Sequence, residues 1–88
     1  MGPIRTDVEV FVALRGRLDA TKIMTRLAYF AECLANKGRE VDRLRQQLGS
    51  ESIESLATQA GRVSEDISRL EFEREAYIDS VLSPSLPS

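Results

Sequence analysis

IESLATQAGRVSEDISRLEFEREAYIDSV, residues 53–81, is the stretch on which the fold turns. Apolar or small side chains fall at Ile53, Leu56, Ala60, Val63, Ile67, Leu70, Tyr77 and Val81, in steps that alternate three and four, and Arg74 is the one polar interruption. A helix turns about every 3.6 residues, so this spacing draws one apolar stripe, the seam of a helix built to lie along another. A matching run precedes it at Leu27, Phe30, Leu34, Val41, Leu44 and Leu48, interrupted by Lys37. Between the two lies Leu48-Gly49-Ser50-Glu51-Ser52. Gly49 suits the left-handed residue that closes a helix, and Arg43 and Arg45 complement the negative end of that helix. Ser50 or Ser52 can cap the next one, with Glu51 and Glu54 at its positive end. A stop signal abutting a start signal predicts an all-α chain folded as a long antiparallel helical hairpin with coiled-coil-like packing. Helix 1 is expected over about 7–48, the turn at 49–52 and helix 2 over about 52–82.

Folding at Gly49 sets Leu44 opposite Leu56, Val41 opposite Ala60, Leu34 opposite Ile67 and Phe30 opposite Leu70, with no residue skipped. The same register sets Lys37 against Val63 and Arg74 against Leu27. A polar residue in such a seam costs stability but fixes register and partner choice, which marks Lys37 and Arg74 as specificity positions.

Further out, Thr6-Asp7-Val8-Glu9 has the form of a capping box at a helix start. Gly38 leaves the heptad spacing unshifted, which predicts a continuous helix there. Around Gly16 the spacing slips, so a break between Gly16 and Thr21, with a short separate N-terminal helix before Gly16, is the alternative to one long helix. The arms are unequal, at roughly 63 Å for residues 7–48 and roughly 48 Å for residues 51–82. The surplus carries Val8, Val10, Phe11, Val12 and Leu14, which a straight hairpin leaves uncovered. An uncovered apolar patch usually marks an interface. Val8, Phe11, Val12 and Leu14 are therefore expected to meet a second chain, with Tyr77 and Val81 beside them, or to fold back across the hairpin as ordinary core. Residues 1–5 and 83–88 read as disordered ends, since Ser83 precedes Pro84 and a residue before proline avoids helical geometry.

The totals narrow the function. The chain has 88 residues, 30% charged and 42% hydrophobic, which suits one small folded unit. Two helices enclose little core, so self-association or a partner chain is the expected source of further burial. The chain has no histidine and one cysteine, Cys33, so neither an internal disulfide nor a metal cage is predicted, and no cofactor is. The net charge is −2. Residues 7–48 hold eight Lys/Arg against six Asp/Glu, and residues 51–82 hold three against eight, a balance that favours pairing of the arms. Arg39, Arg43 and Arg45 are diluted by Glu40 and Asp42, so no nucleic-acid face is expected. No stretch reaches the length of a membrane span and no signal peptide is visible, which makes an intracellular, cytoplasmic setting the default.

Leu14-Arg15-Gly16-Arg17-Leu18-Asp19 resembles the opening of the first helix of the all-helical chorismate mutases. That resemblance implies a small dimeric helical enzyme, with the family arginine falling on Arg15. It covers six residues, and Lys22, Thr25 and Ala31 depart from the pattern that follows. The residues themselves carry no catalytic set: without histidine the commonest general base is missing, and nothing activates Cys33. The expectation is a non-catalytic protein–protein interaction module. It would be a small subunit, adaptor or chaperone-like partner of a larger helical assembly, pairing with itself as a homodimeric four-helix bundle or with another protein.

Overall fold

In a computed structural model, which describes residues 5–82, the chain forms three helices, α1 (Asp7–Ala13), α2 (Ala20–Gln46) and α3 (Ile53–Leu82). The long pair α2 and α3 pack along each other as the predicted hairpin, and α1 packs against α2. The long dimension is 55 Å. Of the disordered ends expected at 1–5 and 83–88, residues 1–4 and 83–88 lie outside the described residues, whereas Arg5 is described and pairs with Glu75 and Asp79 of α3.

Helix 1 is not continuous over 7–48. It breaks after Ala13, where Leu14 caps α1, and restarts at Ala20. Gly16 supplies the reason: it sits at φ +86°, a left-handed conformation that a helix cannot contain and that glycine adopts without a Cβ clash. Asp19 precedes α2 but makes no side-chain cap bond; its carboxylate takes two hydrogen bonds from Arg17, at 2.8 and 3.0 Å. Gly38, by contrast, lies inside an unbroken α2, as the heptad spacing predicts. Thr6 caps α1 through its hydroxyl, which accepts from the Glu9 amide at 3.2 Å. The return half of the box differs from expectation, because the Glu9 carboxylate accepts from the Thr6 hydroxyl at 3.3 Å.

The turn runs over 47–52, two residues longer than the expected 49–52. α2 ends at Gln46, and the Ser50 and Glu51 amides fold back onto the Gln47 carbonyl at 3.0 and 3.2 Å. Gly49 takes φ +92° as predicted, and Ser52 is the cap of α3, its hydroxyl accepting from the Ser55 amide at 3.1 Å.

The core falls into two clusters. Near the turn, Leu44, Leu56 and Val63 are buried with Val41 and Ile67 against them. At the open end, Val10, Leu14, Ile23, Leu27, Phe30 and Ile78 form the larger cluster, flanked by Ala20, Leu70, Tyr77 and Val81. Between these clusters Lys37 of α2 reaches Asp66 of α3 at 3.0 Å. α1 thus folds back and closes the open end, so the overhang does not project as free helix. Its arrival also shifts the seam of α3: Ile78 is fully buried, whereas Tyr77 is half-buried.

Candidate functional site

α1 has seven residues, too few to hold helical structure on propensity alone. Two apolar anchors and a chain of charges fix it. Val10 and Leu14, one turn apart, both point into the open-end cluster and are fully buried. Beside them Arg74, only 8% exposed, donates to Asp7 at 2.8 Å and to Glu75 at 2.9 Å. Glu75 accepts in turn from Arg5 at 3.1 Å, and Arg5 also pairs with Asp79. The order Asp7, Arg74, Glu75, Arg5, Asp79 alternates in sign and laces the start of the chain to α3. Arg17 adds a further tie, donating to the Val81 carbonyl in the last turn of α3 at 2.6 Å. That carbonyl has no partner within its own helix, so the cation both bonds it and complements the helix dipole.

With Val10 and Leu14 turned inward, the opposite face of α1 carries Val8, Phe11 and Val12, which are 71%, 62% and 53% exposed. A helix apolar on both sides is normally buried on both sides. Phe11 and Val12 continue into a cleft of about 320 Å³ that Leu14, Arg15, Gly16 and Ala20 also line. Arg15 makes no ion pair among the described residues.

Of the residues predicted to meet a partner, Val8, Phe11 and Val12 therefore share one exposed face. Leu14 does not: it is core of its own chain, because the break at Gly16 lets α1 lie down on the hairpin. Tyr77 and Val81 are half-buried against the open-end cluster, and Tyr77 stands by the Phe30 ring at 6.2 Å between centroids. The two specificity positions also find partners within the chain. Arg74 meets Asp7 and Glu75 as above. Lys37 meets Asp66, and its second carboxylate is Glu40 at 3.5 Å. The hydrogen bond from Lys37, with Arg69 3.0 Å away on the other oxygen, holds the Asp66 carboxyl below the usual aspartate range. The hydrogen bond to Asp66 likewise raises the Lys37 ammonium above its ordinary value.

A second apolar surface, at the turn, escapes the sequence pattern. Leu48 and Ile53, the members of the two apolar runs that lie nearest the turn, are 57% and 69% exposed. The longer turn separates them, and they border a shallow groove with Val41, Leu44, Leu56 and Ala60. The only signal for it is position, since the last layer of any hairpin has a neighbour on one side alone. Phe72, also missed, is 75% exposed on α3.

The chemistry available is sparse. No group of three or more potential metal-ligating side chains occurs among the described residues. Cys33 is a half-buried free thiol, and contact with it raises the Tyr29 phenol. Arg15, on which the chorismate mutase resemblance places a catalytic arginine, lies in the non-helical connector and is exposed. Lys37 and Arg74 are both engaged by carboxylates of their own chain. No described helix is long and apolar enough to cross a membrane. Comparison of the chain with protein-family models, curated proteins and solved structures gives no match.

Proposed function

We propose that this chain is a non-catalytic helical interaction module, a small subunit, adaptor or chaperone-like partner within a larger helical assembly. One observation carries the proposal: α1 is pinned to the hairpin by Val10, Leu14 and its charges, yet presents Val8, Phe11 and Val12 to solvent. Side chains of this kind gain about 1.5–3 kcal/mol each on full burial, which is the driving force a partner can use. Rigid anchoring of the inner face means that little ordering cost remains to be met when the outer face docks. A single free thiol and no disulfide suit a reducing, cytoplasmic setting.

The test is photo-crosslinking in cells. A photoreactive amino acid replaces Phe11 in one variant and the exposed Glu65 in another. Discrete adducts, to this chain or to a foreign protein, are expected from position 11 and not from position 65. Equal, diffuse labelling from both positions removes the basis for an interaction face on α1.

A further inference from the structure

Away from the α1 cleft, the hairpin carries an opening with a different chemistry. Lys22, Thr25, Arg26 and Tyr29 of α2 line a cavity of about 450 Å³ together with Tyr77 of α3. Positions 22, 26 and 29 follow at steps of four and three, so they form one stripe of the helix. Lys22 stands roughly 200° round α2 from Ala20, which lines the α1 cleft, so the two openings lie on opposite flanks. Neither Lys22 nor Arg26 makes an ion pair among the described residues, and residues 1–4 and 83–88 contain no Asp or Glu. Two carboxylates stand near the opening: Asp19 is bound by Arg17, and Glu73 lies toward the Tyr29 phenol.

The first turn of α2 holds no acidic residue, so Lys22 adds its charge to the positive end of the helix, where a carboxylate is the favoured occupant. Two cations one turn apart on the same face also repel each other. Arg26 is meanwhile held against aromatic rings, 5.4 Å from the Tyr29 centroid and 5.6 Å from that of Phe30. Its guanidinium is thus kept beside the opening with N–H donors left for a ligand. An oxyanion relieves the repulsion and engages both groups. Two cations beside a helix N-terminus suit a dianion, and a phosphate monoester carries close to two charges near neutral pH with three acceptor oxygens. The tyrosine rings, exposed at 29 and half-buried at 77, offer surface to an aromatic body. We propose that this opening binds an aryl phosphate, with the phosphoryl group between Lys22 and Arg26 and the ring against Tyr29 and Tyr77. The group can come from a free small molecule or from a phosphotyrosine side chain of another protein. The site does not depend on the outer face of α1.

Backbone amide chemical shifts of the full chain, titrated with phenyl phosphate at constant ionic strength, test the proposal. Saturable shifts are expected over residues 22–29 and at Tyr77, and not at the turn. The lining cations are exposed, so the dissociation constant should be on the order of 1 mM. Lys22→Gln and Arg26→Gln should each weaken binding about threefold to fivefold, whereas Arg62→Gln, which removes an exposed cation elsewhere, should leave it unchanged. Far-UV circular dichroism checks that each variant keeps its helices. Benzoate and inorganic phosphate each lack part of the ligand and should bind at least about threefold more weakly. A Gly-Gly-phosphotyrosine-Gly-Gly peptide that binds more tightly than phenyl phosphate assigns the group to a partner protein, and one that binds more weakly assigns it to a small molecule. Shifts that fail to saturate, or an affinity that Arg26→Gln leaves unchanged, overturn the site. Equal affinity for inorganic phosphate overturns the aromatic part of the ligand.

Discussion

Leu14→Ala is the perturbation that probes the fold most directly, because a straight hairpin and the observed structure disagree about it. Leu14 is fully buried among Val10, Ile23, Leu27, Phe30 and Ile78. Truncating a buried leucine to alanine costs about 2–5 kcal/mol, the spread reflecting how far the surroundings close over the cavity. Here α1 is short and hinged at Gly16, so partial collapse is available and a cost of about 3 kcal/mol follows. For a domain of this size each kcal/mol lowers the melting temperature by about 4–8 °C, which gives a drop of roughly 12–24 °C. Val12→Ala is the matched control. Val12 is 53% exposed, and a surface truncation of this kind changes stability by about 0.5 kcal/mol or less. Thermal and urea unfolding followed by far-UV circular dichroism measure both, with dilute protein so that association does not contribute. Equal melting temperatures for the two variants would refute the docking of α1 on the hairpin.

Three further outcomes follow from the same structure. Gly38→Ala should stabilise the chain by about 1 kcal/mol, since Gly38 is inside α2 with open space around it, whereas Gly49→Ala should destabilise it by about 1–2 kcal/mol because Gly49 is left-handed; urea midpoints of the two variants should move in opposite directions. Arg74→Ala should cost about 1–3 kcal/mol through lost charged hydrogen bonds to Asp7 and Glu75, and amide hydrogen exchange should rise in α1 before it rises at the turn. The Lys37–Asp66 pair predicts a stability plateau in pH. The depressed Asp66 contributes fully above its unfolded pKa of about 3.9 and loses its contribution as pH falls through its folded value. The raised Lys37 contributes fully below its unfolded pKa of about 10.4 and loses its contribution as pH rises through its folded value. Asp66→Asn should flatten the acid limb of the curve, as read from chemical unfolding at a series of pH values.

What the sequence disclosed and what it withheld divide along the range of the interactions. Gly49, Ser52 and the hydroxyl of Thr6 act on backbone groups within a few residues, and each takes its predicted place. The heptad likewise predicts the pairing of α2 with α3, since periodicity is also local. Lys37 and Arg74 were legible as interruptions of the seam, but their partners were not. Lys37 is flexible enough to pass over Val63, its nominal opposite, and take Asp66 further along α3. The partner of Arg74 sits on α1, and only the angle of the connector decides where α1 lands. Ile78 is buried for the same reason: the helix that helps cover it is 64 residues away in sequence, counted from Leu14 to Ile78. At the turn, two residues of helix given up at the end of α2 were enough to part Leu48 from Ile53 and leave both in water.

Arg5 clasps Asp79 and Arg17 clasps the backbone of Val81, so the described chain enters and leaves at the same point. A polypeptide with adjoining ends can be spliced into a surface loop of a host protein without pulling that loop apart. Grafted so, the hairpin would stand off the host as a stalk, with Gly49 and Ser50 at its far tip roughly 45 Å out along α3. A peptide inserted at that tip would be displayed well clear of the host surface, while α1 lay like a collar around the base.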